Sequence, residues 1–252
     1  MENKKRKFIR DGKHFLVDEK ILEKMCDYAE VKKGDKILEI GAGTGNLTEK
    51  LLSRGAFVYA IEKDPSLVLK LKNRFLYTNK KKNLVIIKGD ALKLKFPKFD
   101  KVVSSLPFLI SRKITEKLIA TDFNLGILVY QKEFVRKLIA KKKSKNYRFI
   151  SALVQSYCSK IEILENISPT SFEPSPNVVS TIVKIVQKKE KKELNEDYIN
   201  FLRILFNHKN KKIRNVIPYC KSISINLIPE KFKNKRVFEL SPDELIEIYS
   251  NF

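Results

Sequence analysis

Apolar residues fall along this chain in two alternating rhythms. Ile21, Leu22, Met25 and Tyr28 recur at helical spacing and predict a helix from about residue 18 to 30. Lys36-Ile-Leu-Glu-Ile-Gly41 follows, a short buried-strand run ending in glycine, and Leu47, Leu51 and Leu52 mark the next helix. The pair repeats: strand Phe57-Val-Tyr-Ala-Ile-Glu62, then a helix through Leu67, Leu71 and Phe75. Leu84-Val-Ile-Ile-Lys88 and Phe99-Asp-Lys-Val-Val103 read as the third and fourth strands, followed by a helix over 111–120 and the fifth strand Leu125-Gly-Ile-Leu-Val-Tyr130. Short, wholly apolar strands alternating with amphipathic helices predict a doubly wound α/β fold, its sheet mostly parallel and covered on both faces. Two further strand runs, around 160–167 and 178–186, have no long helical pattern between them and suit an antiparallel closure of a seven-stranded sheet.

Beyond the charged stretch from Gln187 to Glu193 the pattern turns helical through Tyr198, Phe201, Leu202, Leu205 and Phe206. Ser241-Pro-Asp-Glu244 has the form of a helix start, with a capping serine, proline at the first helical position and glutamate three residues after the cap. The expected organisation is a basic N-terminal arm over 1–17, a ligand-binding sheet domain over 18–187 and a small helical domain over 188–252.

Charge narrows the class of partner. Lys and Arg number 52 against 29 Asp and Glu, a formal +23, which points to a polyanion: nucleic acid first, an anionic membrane surface second. Basic residues cluster in three places: Lys4, Lys5, Arg6 and Lys7; Arg136, Lys141, Lys142, Lys143 and Arg148; and Lys209, Lys211, Lys212 and Arg214. The first string also has the form of a nuclear import signal, a form common by chance in so lysine-rich a chain. Cys26, Cys158 and Cys220 are far apart and only two histidines are present, so neither a zinc site nor a disulfide framework is signalled, and no metal is expected. No apolar run approaches the length of a membrane span and no signal-peptide pattern is seen, so a reducing cytoplasm is the expected compartment.

Candidate chemistry gathers at the predicted strand ends, where open α/β sheets bind ligands. Glu39-Ile-Gly-Ala-Gly-Thr-Gly45 turns the first strand into a helix. Glu62 ends the second strand, twenty-one residues after Gly41, where a carboxylate can accept both ribose hydroxyls of a nucleoside. Gly89-Asp90-Ala91 ends the third strand, and Asp90 is placed to accept from an adenine amine. A dinucleotide fold would carry G-x-G-x-x-G, but here the glycines are 41, 43 and 45 and position 46 is Asn, so no pyrophosphate cradle is implied.

The glycine spacing, with acids at 39, 62 and 90, resembles S-adenosylmethionine-dependent methyltransferases. Ser105-Leu-Pro-Phe108, ending the fourth strand, is similar to the N-L-P-Y, N-P-P-Y or D-P-P-Y loop of those that methylate nucleic-acid amines. Asp11-Gly-Lys-His-Phe-Leu16, Phe172-Glu-Pro-Ser-Pro-Asn-Val178, the basic run Leu205–Asn215 and Val237-Phe-Glu-Leu-Ser241 extend the likeness along nearly the whole chain. Together they resemble the small-subunit ribosomal RNA adenine N6,N6-dimethyltransferase family, in its archaeal and eukaryotic branch.

The resemblance implies transfer of methyl groups from S-adenosyl-L-methionine to two adjacent adenosines near the 3′ end of small-subunit rRNA, on an assembling subunit, by a monomer. It places His14, Leu16, Glu39, Gly41, Gly43, Gly45, Glu62, Asp90, Ala91 and Ser105 around the cofactor. Ser105, Leu106, Pro107 and Phe108 become the catalytic loop: an acceptor and the carbonyl before proline hold the amine while the ring stacks on an extruded base. Two departures from the family pattern matter, Lys13 where Gln is usual and Ser105 where Asn is usual, whereas Phe108 in place of Tyr loses only a hydroxyl and still stacks. The serine keeps open a second reading, an RNA-binding assembly factor that retains the fold without the activity. A methyltransferase of the macrolide-resistance type, acting on large-subunit RNA, is the third.

Overall fold

A computed structural model describes residues 13–190, 195–220 and 224–252. The basic string Lys4–Lys7, and Asp11 and Gly12 of the N-terminal motif, lie outside the described residues. The first half runs β1 (Phe15–Leu16), α1 (Glu19–Tyr28), β2 (Lys36–Ile40), α2 (Asn46–Ser53), β3 (Phe57–Glu62), α3 (Pro65–Phe75), β4 (Leu84–Lys88), β5 (Lys101–Ser105), α4 (Ser111–Ile119) and β6 (Leu125–Gln131). Then come α5 (Lys132–Leu138), α6 (Phe149–Tyr157), β7 (Cys158–Ile167), β8 (Phe172–Glu173) and β9 (Ser180–Gln187). The C-terminal segment holds α7 (Glu196–Asn207), α8 (Ile213–Val216), α9 (Glu230–Lys233) and α10 (Pro242–Tyr249).

The main sheet has seven strands in the order β4-β3-β2-β5-β6-β9-β7. The first five are parallel, and β9 pairs antiparallel with both β6 and β7. Each central strand buries both faces, as its unbroken apolar run predicts. Leu38, Val102, Leu128 and Val183 pack on one side with α4, α6 and the C-terminal helices; Ile37, Val103, Ile127 and Ile182 pack on the other with α1 and α2. The C-terminal segment shares that first cluster. The hydroxyls of Tyr198 and Ser156 meet at 2.8 Å, and the buried Tyr147 donates to the Leu240 carbonyl at 3.0 Å. The capping box at Ser241 forms as expected: its Oγ accepts from the Glu244 N–H at 3.2 Å and the Glu244 carboxylate accepts from the Ser241 N–H at 2.7 Å.

Three elements differ from the sequence expectation. Helix α6 is not among the elements expected from the sequence, and every residue of it but Gln155 is buried. The fourth strand begins two residues later than its apolar run and takes in Ser104 and Ser105. A second, two-stranded sheet pairs β1 with β8, Phe15 opposite Glu173 and Leu16 opposite Phe172, from segments too short to show a period.

Strand order reverses at β2, and there the fold opens. The β2–β5 ladder pairs Ile37 with Lys101 and Leu38 with Val102, then stops. At the next step the fully buried Ser104 hydroxyl takes over: it donates to the Ile40 carbonyl at 2.6 Å and accepts the Ile40 N–H at 3.3 Å. A side chain thus stands where a backbone ladder would, and the strand ends part into a crevice. Ser104→Ala is expected to leave both main-chain groups of Ile40 without partners and to lower stability by about 1–3 kcal/mol. Urea denaturation measures this, and an unchanged midpoint would show that the strands close without the hydroxyl.

Candidate functional site

The crevice holds a cavity of about 570 Å³, lined by the ends of β2, β3, β4 and β5 and by the N-terminal motif. Its floor is the glycine turn after β2. Gly41 and Gly43 have φ of +76° and +59°, and a Cβ on either would collide with a neighbour. On Gly41 it would stand 2.9 Å from Pro107 Cγ, and on Gly43 2.8 Å from Phe15 Cδ1. Glycine therefore lets the loop after β5 and the strand β1 press directly on this turn.

Glu62, at the end of β3, braces the turn from the side. Its carboxylate accepts the Gly43 N–H at 2.9 Å and the Asp64 N–H at 2.8 Å. It is buried yet lines the cavity, and two accepted bonds leave a carboxylate about two more lone-pair sites. Asp90, at the end of β4, accepts from the Leu92 N–H at 3.0 Å and from Lys63 Nζ at 2.9 Å; the lysine bond chiefly holds its carboxyl below the ordinary value. Lys13 pairs with Asp64 at the cavity wall and keeps that carboxyl strongly depressed.

The Ser105–Phe108 loop ends β5. Ser104 points into the sheet, whereas Ser105 lines the cavity with Leu106, Pro107 and Phe108. The Phe108 ring stacks on His14, centroids 5.7 Å apart and planes 28° apart, and meets the edge of Phe172 at 6.4 Å. His14 Nδ1 is 2.6 Å from the Pro174 carbonyl, which fixes the imidazole from the far side. Asn46 donates to the Leu16 carbonyl at 3.0 Å, and the Ser171 hydroxyl donates to Asp18 at 2.9 Å. Motifs some 90 and 160 residues apart from each other in the chain thus meet around one ring, with β1–β8 as the clamp.

The candidate residues divide by place. His14, Gly41, Glu62, Asp90, Ala91 and Ser105 line the main cavity together with Leu106, Pro107 and Phe108. Leu16 and Glu39 border a small adjoining cavity of about 30 Å³ instead, while Gly43 and Gly45 act as turn residues and line neither. The two later basic clusters, distant in sequence, lie side by side. Lys143 N–H donates to the Phe238 carbonyl and Phe238 N–H to the Lys209 carbonyl; burial, then the neighbouring Arg148, lowers the Lys209 ammonium below its ordinary value. Lys142 of this group is ion-paired with Glu244 at 2.8 Å. The Lys63–Asp90 and Lys13–Asp64 pairs were not legible from spacing. Asp64 did carry a signal, because Asp-Pro-Ser is a helix start, and its carboxylate accepts the Ser66 N–H at 2.8 Å. Among the described residues no helix is long and apolar enough to cross a membrane.

Comparison with known proteins agrees in kind. Residues 2–250 match the family model described as ribosomal RNA adenine dimethylase. A probable ribosomal RNA small subunit methyltransferase A from Methanococcoides burtonii is 42% identical, over 97% of this chain and 93% of its own length. One of the same description from Thermococcus sibiricus is 37% identical, over 94% and 89%. Among solved structures, a dimethyladenosine transferase from Plasmodium falciparum superposes with a TM-score of 0.79 at 30% identity, over 93% of this chain and 95% of that one. The 23S rRNA methyltransferase ErmE shares the fold, with a TM-score of 0.69 at 21% identity, over 94% and 98%.

Beneath the turn, Glu39 is fully enclosed with the Thr48 hydroxyl donating to it at 2.6 Å. Burial pushes its carboxyl up to about 8 from an ordinary 4.5. Between those values the folded chain keeps a proton that the unfolded chain has released, so stability falls as pH rises through this window. Glu39→Gln cannot titrate. The parent's urea midpoint is therefore expected to drop relative to that variant from about pH 4.5 to 8. Parallel curves would show the carboxylate ionised throughout.

Proposed function

The chain belongs to the ribosomal RNA adenine dimethylase family, and on that premise we propose that it methylates N6 of two adjacent adenosines near the 3′ end of small-subunit rRNA. It does so in the cytoplasm, as a monomer, on an assembling subunit. The observation that carries this reading is the convergence of the glycine turn, the Glu62 carboxylate and the Ser105–Phe108 loop on one cavity. Residues 18–187 form the methyltransferase domain and 188–252 an RNA-binding domain, to which the basic cluster at 209–214 and its neighbour at 136–148 contribute phosphate contacts.

The cavity fits S-adenosylmethionine on its own features: the Gly41 turn and Gly89 on its lining, and carboxylates at two strand ends. That cofactor supplies an electrophilic methyl group on a sulfonium. Glu62, its remaining lone pairs toward the cavity, accepts the ribose hydroxyls, and Asp90 accepts the adenine amine. His14 and Ala91 border the same space.

The chain's task toward RNA is to hold a weak nucleophile. The exocyclic amine of adenine has its lone pair drawn into the ring, so orientation does most of what can be done. Ser105 Oγ and the Leu106 carbonyl accept its two N–H groups and aim the nitrogen at the cofactor end of the cavity. Phe108 stacks on the extruded base. Its ring arrives already oriented by His14 and Phe172, so little freedom is lost on binding.

Mapping methylated adenines on small-subunit particles incubated with protein and cofactor tests the reaction itself; methylation of large-subunit RNA instead would assign the protein to the other substrate. Two variants test the roles. Glu62→Ala removes a charged acceptor worth about 1.5–3 kcal/mol, so calorimetry is expected to show cofactor affinity down roughly tenfold or more. Phe108→Ala forfeits stacking worth about 1–3 kcal/mol, felt in RNA methylation and barely in cofactor binding. Ser105→Asn is expected to remain active; a parent that acts only once Asn is installed would be a binding factor whose activity has lapsed.

A further inference from the structure

From Pro65 to Gly89 the chain carries seven basic residues and no acidic one. Two are engaged at home: Arg74 and Lys80 both pair with Glu49. Lys70, Lys72, Lys81 and Lys82 are exposed and form no ion pair among the described residues. Between them stands Tyr77, 93% exposed, the most exposed large hydrophobic side chain described. Leu69 and Leu76 are also exposed, at 60% and 41%. With Lys72 they follow i, i+3, i+7 spacing and share the outward face of α3, while Leu67, Val68, Leu71 and Phe75 are buried beneath.

The topology puts this face away from the catalytic cavity. Helix α3 leaves the cavity edge at Asp64 and delivers its last turn to the opposite edge, where β4 begins at Leu84, level with Val58 near the start of β3. The far end of the patch, Tyr77 to Lys82, is thus about one strand length, roughly 15–20 Å, from the site, while its near end at Lys70 is about 7 Å along the helix from Pro65, which lines the cavity. Strand β4 is the outer strand of the sheet, and lysine on an edge discourages strand pairing. That purpose accounts for cations but not for an exposed aromatic ring among them. Unpaired ammonium groups around a free ring suit a surface that takes phosphates and stacks on a base.

We infer that the Lys70–Lys82 face is a further RNA-contact surface, separate from the basic clusters at 136–148 and 209–214, binding backbone phosphates in a part of the ribosomal RNA remote from the methylated loop. The inference rests on the rRNA reading above and extends it, because the cavity side alone would need only the loop that carries the adenosines. An RNA phosphate backbone is the favoured occupant because the segment Pro65–Gly89 is basic throughout, and its acidic neighbour Glu49 is already engaged by Arg74 and Lys80.

The test compares two RNAs by filter binding across a salt series: full-length small-subunit rRNA, and a minimal hairpin holding the adjacent adenosines. The variants are Lys70→Gln, Lys72→Gln, Lys81→Gln and Lys82→Gln combined, and Tyr77→Ala alone. With each phosphate contact contributing about 0.7–0.9 to the slope of log K against log salt, the quadruple variant is expected to flatten the slope on long RNA by about 3. On the hairpin its slope should match the parent's. Tyr77→Ala is expected to weaken long-RNA binding several-fold with the slope unchanged. An unaltered slope on long RNA overturns the inference. So does an equal loss on both RNAs, which would reflect net charge rather than a place. Loss of binding to phosphatidylserine vesicles with rRNA binding intact would assign the face to membranes and likewise overturn it. A parent that bound neither RNA would bring down the rRNA reading, and this surface with it.

Discussion

The arrangement depends on a contact that only a backbone without side chains permits. At Gly41 and Gly43 the chain passes so close to Pro107 and Phe15 that a single added carbon on either residue would overlap them. The turn is therefore the shared wall of everything around it. The loop after β5 rests on one glycine, β1 on the next, and Glu62 holds the peptide of Gly43 through its N–H. Alanine at either position would ask for a left-handed backbone and for a shift of a neighbouring motif. The glycine turn and the loop after β5 are thus one mechanical unit, set by van der Waals exclusion rather than by any strong bond.

Two buried acids stand on either side of that wall, and their surroundings give them different characters. Glu39 has a hydroxyl partner and no cation, so burial decides and its carboxyl moves up toward neutral pH. Glu62, equally removed from water, accepts two backbone N–H groups and still reaches the cavity. Such donors stabilise a charged carboxylate without themselves needing a counter-ion. The pair thus suits one structural acid and one ligand-facing acid from the same residue type.

Much of this was legible in the sequence because strand ends are marked twice, by an apolar run stopping and by a glycine or acid following. That double mark located Gly41, Glu62, Asp90 and the Ser105–Phe108 loop, all of which border the cavity. What escaped has a common cause. Helix α6 is buried on nearly every side, and β1 and β8 are two residues each. Cross-chain pairs such as Lys63–Asp90 depend on the folded path alone, and local spacing does not encode them. Glu39, grouped with the cofactor by its place at a strand end, sits instead under the turn, because side chains alternate along a strand and position 39 faces the side opposite Leu38. A motif says which residues are near a site; only alternation and packing say which way they face.

The serine at 105 takes its meaning from how little its neighbours depend on it. Pro107 is seated against Gly41, and Phe108 is held between His14 and Phe172, whatever side chain stands at 105. The Leu106 carbonyl belongs to the peptide that leads into Pro107, next to the first of those anchors. In the proposed reading an amine would meet two acceptors, of which the carbonyl is already in place. Exchanging a planar amide oxygen for a hydroxyl shortens the reach of the other but keeps an acceptor, since an O–H carries two lone pairs and rotates to present them. Orientation of the base then falls chiefly to the carbonyl and the stack. A loop anchored at both ends can bear a weaker side-chain acceptor, whereas a flexible loop would lose its geometry with it.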